Sequence, residues 1–221
     1  MKTQPAAPLI VHQFPGKYHK KNVADVHFFL DQHEKYPVDK ENWEKYSLKP
    51  EVSFSLAWRK NLLFLKFYVT ESVVRGIYTR DNAPVYRDSC VEFFFAPVKN
   101  GPYYNIETNC IGTCLSEKGT SRNNRVLLPP YILKQIHRYP SLGRNPFDEK
   151  PGPFSWHLLL VIPLDVITGD DFKHRTGKTI YANFYKCGDD LSQPHYLSWK
   201  PVKTPHPDFH QPDYFAPLKF I

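Results

Sequence analysis

Two glutamates stand inside strand-like runs. Glu92 sits in Val91-Glu92-Phe93-Phe94-Phe95-Ala96, and Glu107 in Tyr104-Asn105-Ile106-Glu107-Thr108-Asn109. Successive side chains of an extended chain point to opposite faces. Cys90, Glu92 and Phe94 therefore share one side of their strand, Asn105, Glu107 and Asn109 share a side of theirs, and Tyr181, Asn183 and Tyr185 do the same in a third run. If these strands are neighbours, Glu92, Glu107, Asn109, Asn183 and Tyr185 pool on one face turned away from the core. Carboxylates accept strong hydrogen bonds and aromatic faces cover apolar surface, so such a face suits a ligand with a hydroxyl rim and apolar faces. The same two glutamates would also suit acid–base cleavage of a glycoside, which needs carboxyls roughly 5 to 9.5 Å apart. A plainer reading stands beside both: strand glutamates are commonly solvated, and Asn109 and Asn183 are residue types that bridge backbone.

Other chemistries find less support. His206 and His210 are four apart and His195 is near in sequence, but Pro205 and Pro207 exclude the helix that a two-histidine zinc site needs. Asp189-Asp190 and Asp170-Asp171 could supply calcium oxygens, although aspartates are common in turns. No Gly-rich phosphate loop, GxSxG or HExxH occurs. The four cysteines, 90, 110, 114 and 187, form no CxxC; they read as buried free thiols, with a Cys110–Cys114 disulfide left open. The net charge of +7 comes from scattered Lys and Arg, so it reads as a solubility feature and not as a nucleic-acid surface. No apolar run approaches the ~20 residues of a membrane span. Met1 to Pro5 open on no apolar leader segment, so the chain as it stands reads as cytoplasmic; a secreted or periplasmic protein trimmed of its signal would look the same.

The elements that must position these residues are strands. Among 221 residues there are 34 aromatic rings (16 Phe, 14 Tyr, 4 Trp) and 21 prolines. Aromatics favour strands and prolines break helices. Val52 to Trp58 alternates, Arg59-Lys60-Asn61 is a turn, and Leu62 to Val69 is nearly all apolar, which together read as a hairpin. Pro97 stops the Glu92 strand, and Gly112 interrupts the partner of the Glu107 strand. Residues 117–153 are a polar excursion with one strand expected over Ile132 to Tyr139. Trp156 to Ile162, Ile180 to Lys186, Leu197 to Trp199 and Leu218 to Ile221 complete the strands, with one helical turn at Leu164 to Ile167. Val23 to Leu30 reads as a short helix or a strand. Trp58, Trp156 and Trp199 are expected in the core, and Trp43 as an anchor. No stretch of ~12 residues has helical periodicity sufficient for a helical protein. The expectation is an all-β, jelly-roll-like antiparallel β-sandwich with long loops and one or two short helices, a single domain over 1–221 with residues 1–50 packed on it.

Five segments, in order, carry a more specific likeness: Pro84 to Phe94 with its Asp88-Ser89 and Val91-Glu92-Phe93; Tyr104 to Gly112; Trp156 through Ile162-Pro163-Leu164; Asn183 to Asp189 with Ser198-Trp199-Lys200-Pro201; and Phe209 to Phe215. Over roughly residues 50 to 221 the chain resembles the family 9 carbohydrate-binding modules, in particular their stand-alone bacterial branch. The resemblance implies a jelly-roll-like sandwich that binds a mono- or oligosaccharide without catalysis, in the setting of carbohydrate catabolism. It places Tyr86 and Phe209 at the two stacking aromatics and Glu92 at the acidic hydroxyl acceptor. Glu107 falls where better-known modules carry arginine, and Tyr185 where they carry an amide. Glu71 matches an acid at the site rim, and structural calcium is found in some relatives. Tyr and Phe in place of Trp, with an acid at 107, depart from the family's usual choices, so a different sugar, a glycosidase using Glu92 and Glu107, or an interaction domain that has lost the site stay open as alternatives.

Overall fold

A computed structural model describes residues 7–46, 48–169 and 176–221. The strands in chain order are β1 (Leu9–Val11), β2 (Tyr36–Pro37), β3 (Lys40–Glu41), β4 (Glu51–Arg59), β5 (Leu62–Gly76), β6 (Cys90–Ala96), β7 (Tyr103–Asn109) and β8 (Cys114–Gly119). They continue as β9 (Arg125–Leu127), β10 (His137–Pro140), β11 (Phe147–Pro163), β12 (Thr179–Cys187), β13 (Tyr196–Ser198) and β14 (Ala216–Phe220). One sheet runs β1-β14-β12-β6-β7-β8-β9, with β13 pairing both β12 and β3; the other runs β10-β11-β5-β4-β2. All pairs are antiparallel except β1 with β14.

Period-two alternation builds the space between the sheets. Val91, Phe93 and Phe95 of β6, Tyr104 and Ile106 of β7, and Ile180, Ala182 and Phe184 of β12 face Phe54, Leu56 and Trp58 of β4, Leu65 and Phe67 of β5, and Leu158 and Leu160 of β11. Phe184 is the hub. It stacks on Phe54 (3.7 Å between centroids) and Phe93 (5.1 Å) and meets Phe67 and Trp199 at steeper angles. Trp58, Trp156 and Trp199 lie in this cluster, as expected.

Both outer faces are covered too. Val23 to Leu30 resolves as helix α1 (Val23–Gln32), whose buried Val26 and Leu30, four apart, pack on Ala57, Phe64, Leu159 and Val161. The outer face of the larger sheet lies under loops carrying Trp43, Val85, Val202, Phe209 and Phe215. The first fifty residues also add β1, β2 and β3 to the sheet edges.

The expected hairpin turns at Lys60, whose φ is 54°. At the β7–β8 turn Gly112 has φ 85°, and a Cβ there would meet Pro140 at 3.1 Å; only glycine fits comfortably. All four cysteines are free and buried, so the open Cys110–Cys114 disulfide does not form. Two expectations need correction. The strand over Ile132 to Tyr139 is confined to β10, because Pro130 opens a short helix, α2 (Pro130–Leu133), with proline in its first turn, where its missing N–H costs nothing. The strand expected from Trp156 begins at Phe147: its exposed first half pairs with β5 through two irregularities, between Phe147 and Lys150 and between Pro151 and Phe154, and the second accommodates Gly152 and Pro153. The turn at Leu164 becomes α3 (Leu164–Thr168), so three short α-helices are described in place of one or two. No helix among the described residues is long and apolar enough to cross a membrane.

Replacing the hub, Phe184→Ala, is expected to lower unfolding free energy by about 3 to 5 kcal/mol. Urea denaturation measures this; a loss under about 1 kcal/mol would contradict the role given to the inter-sheet stack.

Candidate functional site

The cavity floor is a single row across the sheet. Tyr185 of β12 is directly opposite Glu92 of β6, Glu92 is directly opposite Glu107 of β7, and Glu107 is opposite Leu115 of β8. Residues so placed have Cβ atoms about 4.5 to 5.5 Å apart. Alternation turns this row to the outer face, and the loop roof buries it: Glu92 is 3% exposed and Glu107 4%. The face expected to point away from the core thus points away from the inter-sheet core, but not into open water.

Between floor and roof lies a cavity of ≈ 250 Å³. Glu92, Phe94, Glu107, Leu115, Glu117, Cys187 and Tyr196 line it from the strands; Tyr86 and Asp189 line it from loops; Arg122 and the segment 207–210 close its other side. Tyr86, Glu92, Glu107 and Phe209 therefore come together. One face of Phe209 is already taken, since its ring stacks on Tyr185 at 4.1 Å and 14°. The Tyr185 hydroxyl donates to the Phe209 carbonyl (3.2 Å), which makes Tyr185 the support under Phe209 and not a lining residue.

Two expected residues stand elsewhere. Asn109 donates to the Tyr78 carbonyl and to Asp88 Oδ2 (both 2.9 Å) and accepts from the Thr113 N–H (2.8 Å), so it bridges backbone. Glu71 is not at the rim. It lies on the inner side of the other sheet, accepting from Trp156 Nε1 (2.8 Å) and paired with Lys186 Nζ (2.8 Å), both carboxylate and ammonium being wholly buried. Lys186 also donates to His195 Nε2 (2.8 Å). Burial first, then the Lys186 charge, depress the His195 pKa to about 2, which keeps this imidazole neutral and able to accept.

The floor glutamates have incomplete partners. Asn105 Nδ2 donates to Glu107 Oε1 (2.8 Å), and Asn105 Oδ1 in turn accepts from Arg125, whose guanidinium covers the Tyr103 ring. Cys187 Sγ donates to Glu92 Oε1 (3.0 Å). The second oxygens, Glu92 Oε2 and Glu107 Oε2, are buried and have no hydrogen-bond partner among the described residues. Burial, then the Glu107 charge, raise the Glu92 pKa well above the usual carboxylate range; burial, then Glu117 and Asp189, push Glu107 up to about 8 against the Asn105 hydrogen bond. Asp189 is raised to about 6, mainly by burial. Both floor groups thus hold a proton to higher pH than a free carboxyl, and in that form each can donate as well as accept.

Arg122, Asp208, Tyr196, Glu117 and Cys187 were not anticipated as lining. Arg122 pairs with Asp208 (3.5 Å), and Asp208 also accepts from the His210 N–H (3.0 Å) and Gln211 (2.7 Å), fixing the closing loop. No periodicity marks loop residues such as Arg122 and Asp208, so their polar surroundings in the sequence were the only signal. His210 is near the Tyr103 hydroxyl (3.0 Å), while His195 is bound to Lys186, so the histidines make no joint site. Asp189 and Asp190 diverge: Asp190 faces Arg75 and Arg87. Asp170 and Asp171 lie outside the described residues. Among the described residues, one group could hold a metal: Cys90, Glu92 and Cys187 place ligand atoms within 4.8 Å of one another. Burial keeps both thiols protonated, Cys90 at about 12, so a soft cation would have to displace their protons.

The family model described as carbohydrate-binding family 9 matches residues 24–220. The chain belongs to that family. A candidate carbohydrate-binding protein from Bacteroides uniformis ATCC 8492 is 35% identical, with 97% of this chain and 100% of that one covered and a TM-score of 0.88. Two structures of a family 9 module from Caldicellulosiruptor kristjanssonii share its fold: the cellotriose complex at 15% identity (97% and 93% covered, TM-score 0.55) and the glucose complex at 14% (97% and 96% covered, 0.52). No curated protein matches. Family 9 members are non-catalytic binding modules, and this one is a β-sandwich of that kind.

Two predictions follow from the buried acids. A carboxyl whose pKa folding raises from 4.5 to about 8 stabilises the fold fully below about pH 4.5, and that stability is lost as pH rises through about 8. Melting temperature should therefore fall between about pH 5 and 9, and Glu107→Gln should flatten the fall, melting roughly 3 to 8 °C above the parent at the alkaline end. An unchanged slope in the variant would remove Glu107 as the cause. For the other pair, Lys186→Ala leaves Glu71 buried and uncompensated and should destabilise by about 3 to 5 kcal/mol, with Glu71→Gln/Lys186→Met recovering most of it; chemical denaturation of the three variants decides.

Proposed function

We propose that the chain binds a mono- or oligosaccharide in the cavity above Glu92 and Glu107, without chemistry. The observation that carries this reading is the pair of unpartnered carboxyl oxygens, buried side by side in a cavity that Tyr86 and Phe209 also line. Leaving a buried polar atom unpaired costs about 1 to 3 kcal/mol, so a ligand that satisfies both recovers that cost on binding. Sugar hydroxyls donate and accept, as neutral carboxyls do, and the apolar face of a pyranose fits an aromatic ring. Tyr86 and the free part of Phe209 supply that surface, Glu92 and Glu107 the hydroxyl partners, and Tyr185 holds Phe209 from behind. The glucose and cellotriose carried by the Caldicellulosiruptor module support a sugar as the ligand class.

Hydrolysis fits the same glutamates poorly. A retaining glycosidase needs one carboxylate ionised as nucleophile while the other donates a proton. Here burial raises the pKa of both, which disfavours an ionised nucleophile, and both rise from the same floor on adjacent strands.

Titration calorimetry against neutral mono- and oligosaccharides should give at least one dissociation constant in the millimolar range or tighter. Tyr86→Ala should weaken that binding by about tenfold, the equivalent of one lost stacking contact. The proposal fails if no sugar binds at millimolar concentration, or if the alanine variant binds as tightly as the parent.

A further inference from the structure

Although the whole chain is basic, at +7, its cavity is not. Five carboxyl groups line it, those of Glu92, Glu107, Glu117, Asp189 and Asp208, against the single guanidinium of Arg122. Arg122 is committed to Asp208 at 3.5 Å, and Glu117 is committed to Arg125 at 3.3 Å. Among the described residues the remaining three acids have no ion-pair partner; Lys186, which follows Tyr185, points to the other side of the sheet and is held by Glu71. His210, on the closing loop, is lowered to about 4 by burial and by Arg125, so it brings no positive charge at neutral pH. Glu92 and Glu107 each keep one buried oxygen without a partner, and they are directly opposite each other across β6 and β7.

Two like acids facing each other on adjacent strands are unfavourable unless protons or a cation lie between them. A protonated pair suits a neutral hydroxyl. An ammonium group suits the site better: it brings three N–H donors and a positive charge to two orphan acceptors, with Asp189 as a third acid in the same cavity. We infer that the site favours an amino sugar bearing a free ammonium over its neutral and N-acylated counterparts, and that it disfavours sugar acids. This rests on the sugar-binding reading above and names the sugar class. Binding converts a carboxylic acid to a carboxylate, and the proton released passes to solvent. Ammonium binding is therefore linked to pH and weakens as pH falls, because releasing that proton costs more in acid. The titratable groups facing the pair are Asp189, Glu117 and Cys187, with Arg125 behind Asn105; none of these supplies a competing free cation.

The test is calorimetry on the full chain at about pH 7 with glucosamine, glucose, N-acetylglucosamine and glucuronate, each in two buffers of different ionisation enthalpy. The expected result is that glucosamine binds at least about tenfold more tightly than glucose or N-acetylglucosamine, that glucuronate binds weakest, and that only glucosamine binding releases a proton. The glucosamine-to-glucose ratio should collapse toward one at about pH 5, and also in Glu107→Gln, whose melting curve verifies that it is folded. If glucose binds but glucosamine binds no better at pH 7, the preference is wrong while sugar binding stands. If none of the four binds, nor any neutral oligosaccharide, both readings fall together.

Discussion

Strands β6, β7 and β12 are covered on both faces, and that double burial sets the conditions for everything else in the molecule. Their inward side chains pack against the second sheet, with Phe184 at the centre of a cluster of aromatic rings. Their outward side chains do not meet water either, because loops carrying Trp43, Phe209 and Phe215 lie over them. A polar residue on the outer face must therefore find a partner inside the protein, share a proton, or wait for a ligand.

All three outcomes occur on neighbouring residues. Asn109 and Asp88 are absorbed into backbone and side-chain hydrogen bonds beneath the Tyr78 loop. Asn105 is held between Arg125 and Glu107. Glu92 and Glu107 are only half satisfied, and they are the ones that open to the cavity. The contrast with Glu71 is instructive. It is as deeply buried, but it meets the Lys186 ammonium and the Trp156 indole N–H, so its charge is compensated within the fold. Unsatisfied acids cost stability, and a fold commonly bears such a cost where a ligand is to be bound. The large aromatic content serves both layers: rings fill the inter-sheet space, and others, such as Tyr185 under Phe209, brace the wall of the site.

Much of this was open to sequence reasoning because the outer and inner faces of a strand differ in chemistry at a period of two. The runs around Glu92, Glu107 and Asn183 revealed which residues share a side, and prolines and Gly112 marked where strands stop. Pattern does not reveal positions that depend on a partner. Glu71 stands between Thr70 and Ser72 just past an apolar run, and only the arrival of Lys186 from the opposite sheet explains a buried carboxylate there. The exposed half of β11 has no alternation and is a strand solely because the long β5 offers it backbone partners. Arg122 and Asp208 lie 86 positions apart in loops without periodicity, and nothing local links them.

By itself, the sequence determined the all-β class, the side of each strand on which Glu92, Glu107 and Tyr185 would stand, and the resemblance to a sugar-binding family, because alternation, proline placement and motif order are local properties of the chain. Only the tertiary structure decided that the outer face would be roofed, that Glu92 and Glu107 would sit directly opposite each other, and that Tyr86 and Phe209 would join them while Asn109 and Glu71 would not. The physical reason is that strand register, burial and the pairing of charges are set by segments distant in sequence. The same residue type is a solvated surface group, half of an ion pair or a half-satisfied acid in a cavity according to what those segments bring against it.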